Sequence, residues 1–185
     1  MRLLIIDTIF EKESLHYDEF VRPILDIIKH QNIDLRILHW AENVIDEALY
    51  WSEKIIITGT SLKDNKFIEE IELFKWILTY EKPLLGICAG GQIISKLFGG
   101  DIMKGTEIGL KKNIEILNEN ELLLKDVELN EVYELHNYYF SVPEKFEIIC
   151  KNEFPQIIKK KNIYAILFHP EVRNKKIIEN FILKI

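Results

Sequence analysis

Four short runs in the first half of the chain, RLLIID, LRILHW, KIIITG and PLLGIC, are continuously apolar and rich in Ile and Leu. A strand with one face in water alternates apolar and polar residues, so unbroken runs read as strands covered on both faces of a parallel sheet. Parallel neighbours need long crossovers, and amphipathic stretches lie between the runs: DEFVRPILDIIKH, AENVIDEALYW and DNKFIEEIELFKWILTY. In the last, Phe67, Ile71, Phe74 and Leu78 recur at helical spacing, and Asp64 is placed to cap the start. This alternation predicts an α/β fold: a doubly wound, mostly parallel sheet flanked by helices and joined by right-handed crossovers.

After Gly100 the texture changes. Short strands broken by Gly, Asn and Pro predict a small antiparallel portion grafted onto the parallel sheet in the second half. NIYAILF reads as one more core strand, and RNKKIIENFILKI as a closing amphipathic helix. With 185 residues, 48% of them hydrophobic, and no internal repeat or linker, one domain over residues 1–185 is expected.

Charge and cysteine content narrow the function classes. The net charge is -6, and the lysine clusters at 111–112, 159–161 and 175–176 are short and separated, so no nucleic-acid partner is expected. Two cysteines cannot form a disulfide framework, and a reducing compartment suits them. The start, MRLLIIDTIFEKE, becomes charged too early for a secretory leader, and no apolar run is long enough to span a bilayer. A soluble, cytoplasmic protein with no membrane partner is the expectation.

The chemistry is concentrated in KPLLGICAGGQIISKLFGG, Lys82 to Gly100. Cys88 stands at the junction of a strand, LLGIC, and a helix, GGQIISKLF, with Gly86 two residues before it and Gly90 two after. This is the spacing of a nucleophile elbow, where side chains at the flanking positions would collide. A sulfur at a helix N-terminus feels the positive end of the helix dipole, which favours thiolate, and the Ala89 amide points to where an oxyanion would form. The alternative is a small buried hydrophobe beside a tight turn.

A thiol nucleophile needs an imidazole, and the imidazole an orienting group. Of five histidines, His16, His30 and His39 sit in surface-looking segments, and His136, in YELHNYYF, follows a short strand. His169 directly follows the core strand NIYAILF, in FHPE, and so emerges at the C-terminal edge of the sheet, as Cys88 does. Pro170 stiffens that turn, and Glu171 is placed to hold the other ring nitrogen. Cys88, His169 and Glu171 together read as a catalytic triad.

With these residues in place the chain resembles the class I, triad-type glutamine amidotransferases, which carry Gly-x-Cys-x-Gly-x-Gln and a late His-Pro-Glu. Here these stand as GICAGGQ, Gly86 to Gln92, and FHPE, Phe168 to Glu171. GTEIGLKKNIEI and HNYYFSVPEKFEII look like segments of the GMP synthase glutaminase type within that family. The resemblance implies a flavodoxin-like sheet and L-glutamine as substrate. It also implies attack by Cys88 to give a γ-glutamyl thioester, hydrolysed with His169 as acid and base and Glu171 orienting it. It further implies an oxyanion hole from the Thr60 and Ala89 amides, substrate contacts at Gly59 and Gln92 and through the backbone of Asn137 and Tyr138, and no metal or cofactor.

Two departures from the family pattern carry expectations. The loop after KIIIT reads GTSLKD rather than Gly-Gly-Pro, so Gly59 is kept while Thr60 takes the second glycine's place. A β-branched residue resists unusual backbone dihedrals, so the loop is expected to need a partner to reach its working shape. Gly91 stands where many relatives carry a larger residue and is expected to widen the pocket mouth or loosen the helix start. No phosphate-binding Gly-x-x-x-x-Gly-Lys-[Ser/Thr] is present. Ammonia transfer would therefore require a separate ATP-dependent synthase subunit, GMP-synthetase-like in the leading reading. Rival readings are a cysteine hydrolase of γ-glutamyl amides or peptides without ammonia transfer, and a non-catalytic regulatory relative.

Overall fold

A computed structural model describes residues 1–12, 14–42 and 45–185. The parallel strands β1 (Arg2–Asp7), β2 (Asp34–His39), β3 (Lys54–Ile57) and β4 (Leu84–Ile87) fall on the four apolar runs. Further strands are β5 (Ile102–Lys112), β6 (Glu115–Ile116), β7 (Glu131–Phe140), β8 (Glu147–Lys151), β9 (Pro155–Lys160) and β10 (Ile163–Ile166). The main sheet has the order β2-β1-β3-β4-β10-β9-β8-β6, parallel as far as β10 and antiparallel beyond it. The sheet is therefore the expected doubly wound one, with one refinement. Only β9, β8 and β6 are grafted onto it, whereas β5 and β7 form a separate two-stranded ribbon. His136 accordingly lies inside a ten-residue strand rather than after a short one.

The unbroken apolar runs follow from the two-sided core. Leu3, Ile5, Ile56 and Ile87 pack into one cluster with Val21, Ile24 and Phe181, while Leu4, Ile6, Ile55 and Ile57 pack into another with Phe74, Ile93 and Ile94 on the opposite face. Successive strand residues point to opposite faces, so both must be apolar. Helix α6 (Lys176–Lys184) supplies Ile177, Ile178 and Phe181 to the first face, and α5 (Ala89–Leu97) supplies Ile93 and Ile94 to the second.

The crossover helices are shorter than their patterns predict. The first divides at Val21 into α1 (His16–Phe20) and α2 (Arg22–Ile28), the latter opened by Pro23, whose fixed φ suits a first helical turn. α3 (Ile45–Trp51) follows, and residues 43 and 44 of the expected helix lie outside the described residues. The stretch 64–80 is not one α-helix. It holds α4 (Lys66–Glu69) and a 3-10 helix, Ile71–Thr79. Three residues per turn align Phe74 with Ile77, which are buried, and leave Leu78 45% exposed. Asp64 is not a cap. Asn65 holds the N-cap position without a side-chain capping bond, and Asp64 accepts a hydrogen bond from Thr60 Oγ1 at 2.7 Å instead.

No helix among the described residues is long and apolar enough to cross a membrane. Close packing of α5 on the sheet depends on bare Cα atoms. A Cβ on Gly90 would lie 2.5 Å from the Ile57 carbonyl oxygen, and one on Gly91 2.5 Å from that of Ile166. Gly91 thus faces β10 and not the pocket mouth. Gly90→Ala is expected to destabilise the fold by about 1–3 kcal/mol, read as a lower urea midpoint at unchanged slope; an unshifted midpoint contradicts the contact.

Candidate active site

The sharp turn between β4 and α5 holds Cys88 at φ 48° and ψ −100°, a conformation non-glycine residues seldom adopt. Such strain costs on the order of 1–3 kcal/mol and persists only where the surroundings over-determine it. Here they do. The Cys88 amide donates to the Ile166 carbonyl at 2.8 Å, the Gly90 amide to that of Thr58 at 3.2 Å, and a Cβ on Gly86 would lie 2.4 Å from Gly90. Cys88 is the N-cap of α5 and is 3% exposed.

His169 leaves the adjacent strand at the same edge, because β10 runs parallel to β4 with Ile166 opposite Ile87. Its amide is held by the Tyr133 carbonyl of β7 at 2.8 Å, and Phe20 packs against the ring at 5.5 Å between centroids. Nδ1 lies 2.7 Å from Glu171 Oε1 in a pair fully removed from water. Cys88 and His169 converge on two points. Sγ and Nε2 approach the Leu135 carbonyl oxygen at 3.6 and 3.4 Å, and a Cβ on Gly59 would lie 2.5 Å from His169 Cε1 and 3.3 Å from Cys88 Cβ.

Burial by itself lowers the pKa of the His169 ring. The charge of Glu171, then the Cys88 sulfur as charge and hydrogen-bond partner, outweigh it and raise the pKa well above the ordinary histidine value. The ring is thereby favoured as imidazolium. Cys150, in contrast, is enclosed by apolar residues, and burial pushes its thiol up to about 12.

The remaining expected residues surround the same point. Thr60, Ala89, Gln92 and Asn137 line a cavity with Cys88 and Leu135; Gly59 abuts the His169 ring and Cys88 beside it, and Tyr138 stands behind the lining. Thr60 and Ala89 keep their main-chain amides free of hydrogen-bond acceptors among the described residues. Thr60 also has no positive φ, so its β-branch meets no backbone strain. Gln92 Nε2 donates to the Tyr138 carbonyl at 2.8 Å, and Asn137 Nδ2 to that of Leu62 at 2.6 Å. The cavity measures about 10 Å³, space for about one water. Three participants were not legible in advance: Thr8 and Asp64, which hold the Gly59–Thr60 segment, and the Leu135 carbonyl. Of the other histidines, His39 pairs with the Ile9 carbonyl, and His136, which also lines the cavity, pairs with Glu134.

A parallel sheet that brings a strained thiol, an imidazole and a carboxylate to its C-terminal edge defines an α/β protein with a cysteine-nucleophile geometry. Residues 16–185 match the model of the class I glutamine amidotransferase family, and the chain belongs to that family. It is 40% identical over 116 residues to one subunit of the glutamine-hydrolysing GMP synthase of Methanosphaera stadtmanae, 57% of this chain and 62% of that one. It is 28% identical over 176 residues to the corresponding subunit from Pyrococcus furiosus, 88% and 92% of the two chains. The match to the GMP synthase of Brachyspira hyodysenteriae, 41% identical, covers 56% of this chain and 22% of that longer one. The fold is shared with a candidate GMP synthase subunit from Thermoplasma acidophilum, at a TM-score of 0.81 and 21% identity over 98% and 92% of the two chains.

Glu171→Gln removes the largest influence raising the His169 pKa. The ring should therefore lose its proton at lower pH. An NMR titration of the His169 ring resonances measures this, and an unmoved midpoint contradicts the pairing.

Proposed function

We propose that this chain is a glutaminase that hydrolyses L-glutamine to glutamate and ammonia, serving a separate ATP-dependent synthase that amidates a nucleotide. The convergence of Cys88 and His169 on the Leu135 carbonyl, with Glu171 behind the ring, carries the reading. Deprotonated Sγ attacks the side-chain amide carbon of glutamine, and the carbonyl electrons move to oxygen, which accepts hydrogen bonds from the Thr60 and Ala89 amides. Collapse breaks the C–N bond as imidazolium His169 gives its proton to the departing nitrogen, releasing ammonia and leaving a γ-glutamyl thioester. A water that loses a proton to His169 then attacks the thioester, and a second collapse expels thiolate and yields glutamate.

Glu171 keeps Nδ1 engaged so that Nε2 faces the reaction. Gly59 leaves room for the ring, and Gln92 fixes the Tyr138 carbonyl, so that the Asn137–Tyr138 backbone can receive the α-ammonium and α-carboxylate groups. The names of the relatives support a two-polypeptide arrangement, since several are single subunits of a GMP synthase. Both cysteines are free thiols, which suits a cytoplasmic setting.

Cys88→Ala is expected to reduce glutamate release from glutamine to background while leaving the circular dichroism spectrum and thermal midpoint near those of the unaltered chain. A glutamine-analogue electrophile is expected to modify Cys88 and spare Cys150, as peptide mass mapping reports. Glutamate release by the alanine variant, or labelling at Cys150, would refute the assignment.

A further inference from the structure

The family's Gly-Gly-Pro loop is replaced here by Gly59-Thr60-Ser61, and the structure supplies a different means of holding it. Thr8, the first residue beyond β1, places Oγ1 2.9 Å from the Thr58 carbonyl oxygen and 3.1 Å from that of Gly59, so one hydroxyl proton is shared between them. The Thr8 amide donates back to Thr58 Oγ1 at 3.1 Å. The Gly59 carbonyl and the Thr60 N–H belong to one trans peptide and point in opposite directions. The sheet order sets β1 on one side of β3 and β4 on the other. A carbonyl turned toward β1 therefore turns the Thr60 N–H toward the β4 side, where Cys88 emerges. At the far end Thr60 Oγ1 donates to Asp64 Oδ2 at 2.7 Å, and the Asp64 amide donates to the Ser61 carbonyl at 3.0 Å, folding the carboxylate back onto the loop. Thr8, Thr58, Thr60 and Asp64 are all buried.

We propose that Thr8 and Asp64 are positioning residues that clamp the Gly59–Thr60 peptide from both ends, so that the Thr60 N–H is held as the second donor to the developing oxyanion. The inference rests on the glutaminase reading and deepens it. Gly59 is retained because the His169 ring leaves no space for a side chain. The next position has no such contact, so a threonine whose hydroxyl is tied down does the work of a conformationally restricted Gly-Pro pair. A donor displaced by about 1 Å loses on the order of a hundredfold in rate.

The test uses the full chain with Thr8→Val, Asp64→Ala and the conservative Asp64→Asn, whose amide oxygen still accepts the Thr60 hydroxyl. Thr8→Val and Asp64→Ala are expected to lower kcat for glutamate release about ten- to hundredfold with KM within about threefold, and Asp64→Asn to recover most of the loss. Butyraldehyde is the second probe. Sγ adds to its carbonyl carbon and the thiol proton ends on the new hydroxyl oxygen, which needs the same donors. Its protection of Cys88 should weaken about tenfold in Thr8→Val and Asp64→Ala, whereas alkylation by iodoacetamide, which develops no oxyanion, should keep its rate. Unchanged kcat in both variants, a parallel fall in iodoacetamide reactivity, or failure of both variants to fold would overturn the clamp. No glutamate release by the unaltered chain would instead remove the glutaminase reading, and the aldehyde-to-iodoacetamide ratio would still judge the clamp.

Discussion

A methyl group on Gly59 would sit within 2.5 Å of the His169 ring and 3.3 Å of the Cys88 β-carbon, so three segments distant in sequence meet where only hydrogen fits. The sheet makes this meeting possible. β3, β4 and β10 are consecutive parallel neighbours, and residues one to three positions past their C-terminal ends share one edge. Helix α5 must then leave that edge without pushing Cys88 away, which explains the bare Cα atoms at Gly86, Gly90 and Gly91. Each answers a backbone contact of 2.4–2.5 Å with the elbow or a neighbouring strand. The positive φ of Cys88 is stable because its own amide is tied to β10 and that of Gly90 to the β3 loop.

Electrostatics adds a second constraint. Glu171 and His169 are each 1% exposed, and an isolated charge at that depth would be expelled or neutralised. Pairing reverses the balance, because the carboxylate 2.7 Å from Nδ1 and the Cys88 sulfur together favour the imidazolium more than burial disfavours it. The cost of burying the pair is offset by the backbone that frames it. The His169 amide is bound by Tyr133, and the ring is covered by Phe20 of α1.

The sequence was most readable where one residue type has one physical use. Ile and Leu runs marked the four parallel strands to within one or two residues, although β2, at the sheet edge, is largely exposed rather than covered on both faces, and GICAG and FHPE marked the two turns at the sheet edge. It was least readable where a local rule and a tertiary contact make the same residue favourable. Asp64 stands before a helix, as a capping residue would, yet its carboxylate serves Thr60 four residues earlier. Phe74 and Leu78 have α-helical spacing, but the stretch winds as a 3-10 helix and buries Ile77 instead. Thr8 carries no motif, and the Leu135 carbonyl, being main chain, leaves no trace in residue identity. The separation of the β5–β7 ribbon from the sheet depends on long-range pairing, Ile108 opposite Leu135, that no local pattern encodes.

That ribbon also governs what the pocket can admit. Leu135 and Asn137 of β7 close over Cys88, and the room that remains, about 10 Å³, accommodates a water and not an amino acid. Asn137 on the Leu62 carbonyl, Gln92 on the Tyr138 carbonyl and the approach of Sγ and Nε2 to Leu135 secure the closure, and β7 is further held by the His169 amide on the Tyr133 carbonyl, by Gln156 on Glu134 and by the buried Val132 and Phe140. On the proposed glutaminase reading, an amino acid entering the site has to displace the Leu135 carbonyl from Cys88 and His169. The thiol and imidazole would then meet the substrate carbonyl in place of the Leu135 carbonyl, which occupies a position the reacting group would otherwise take.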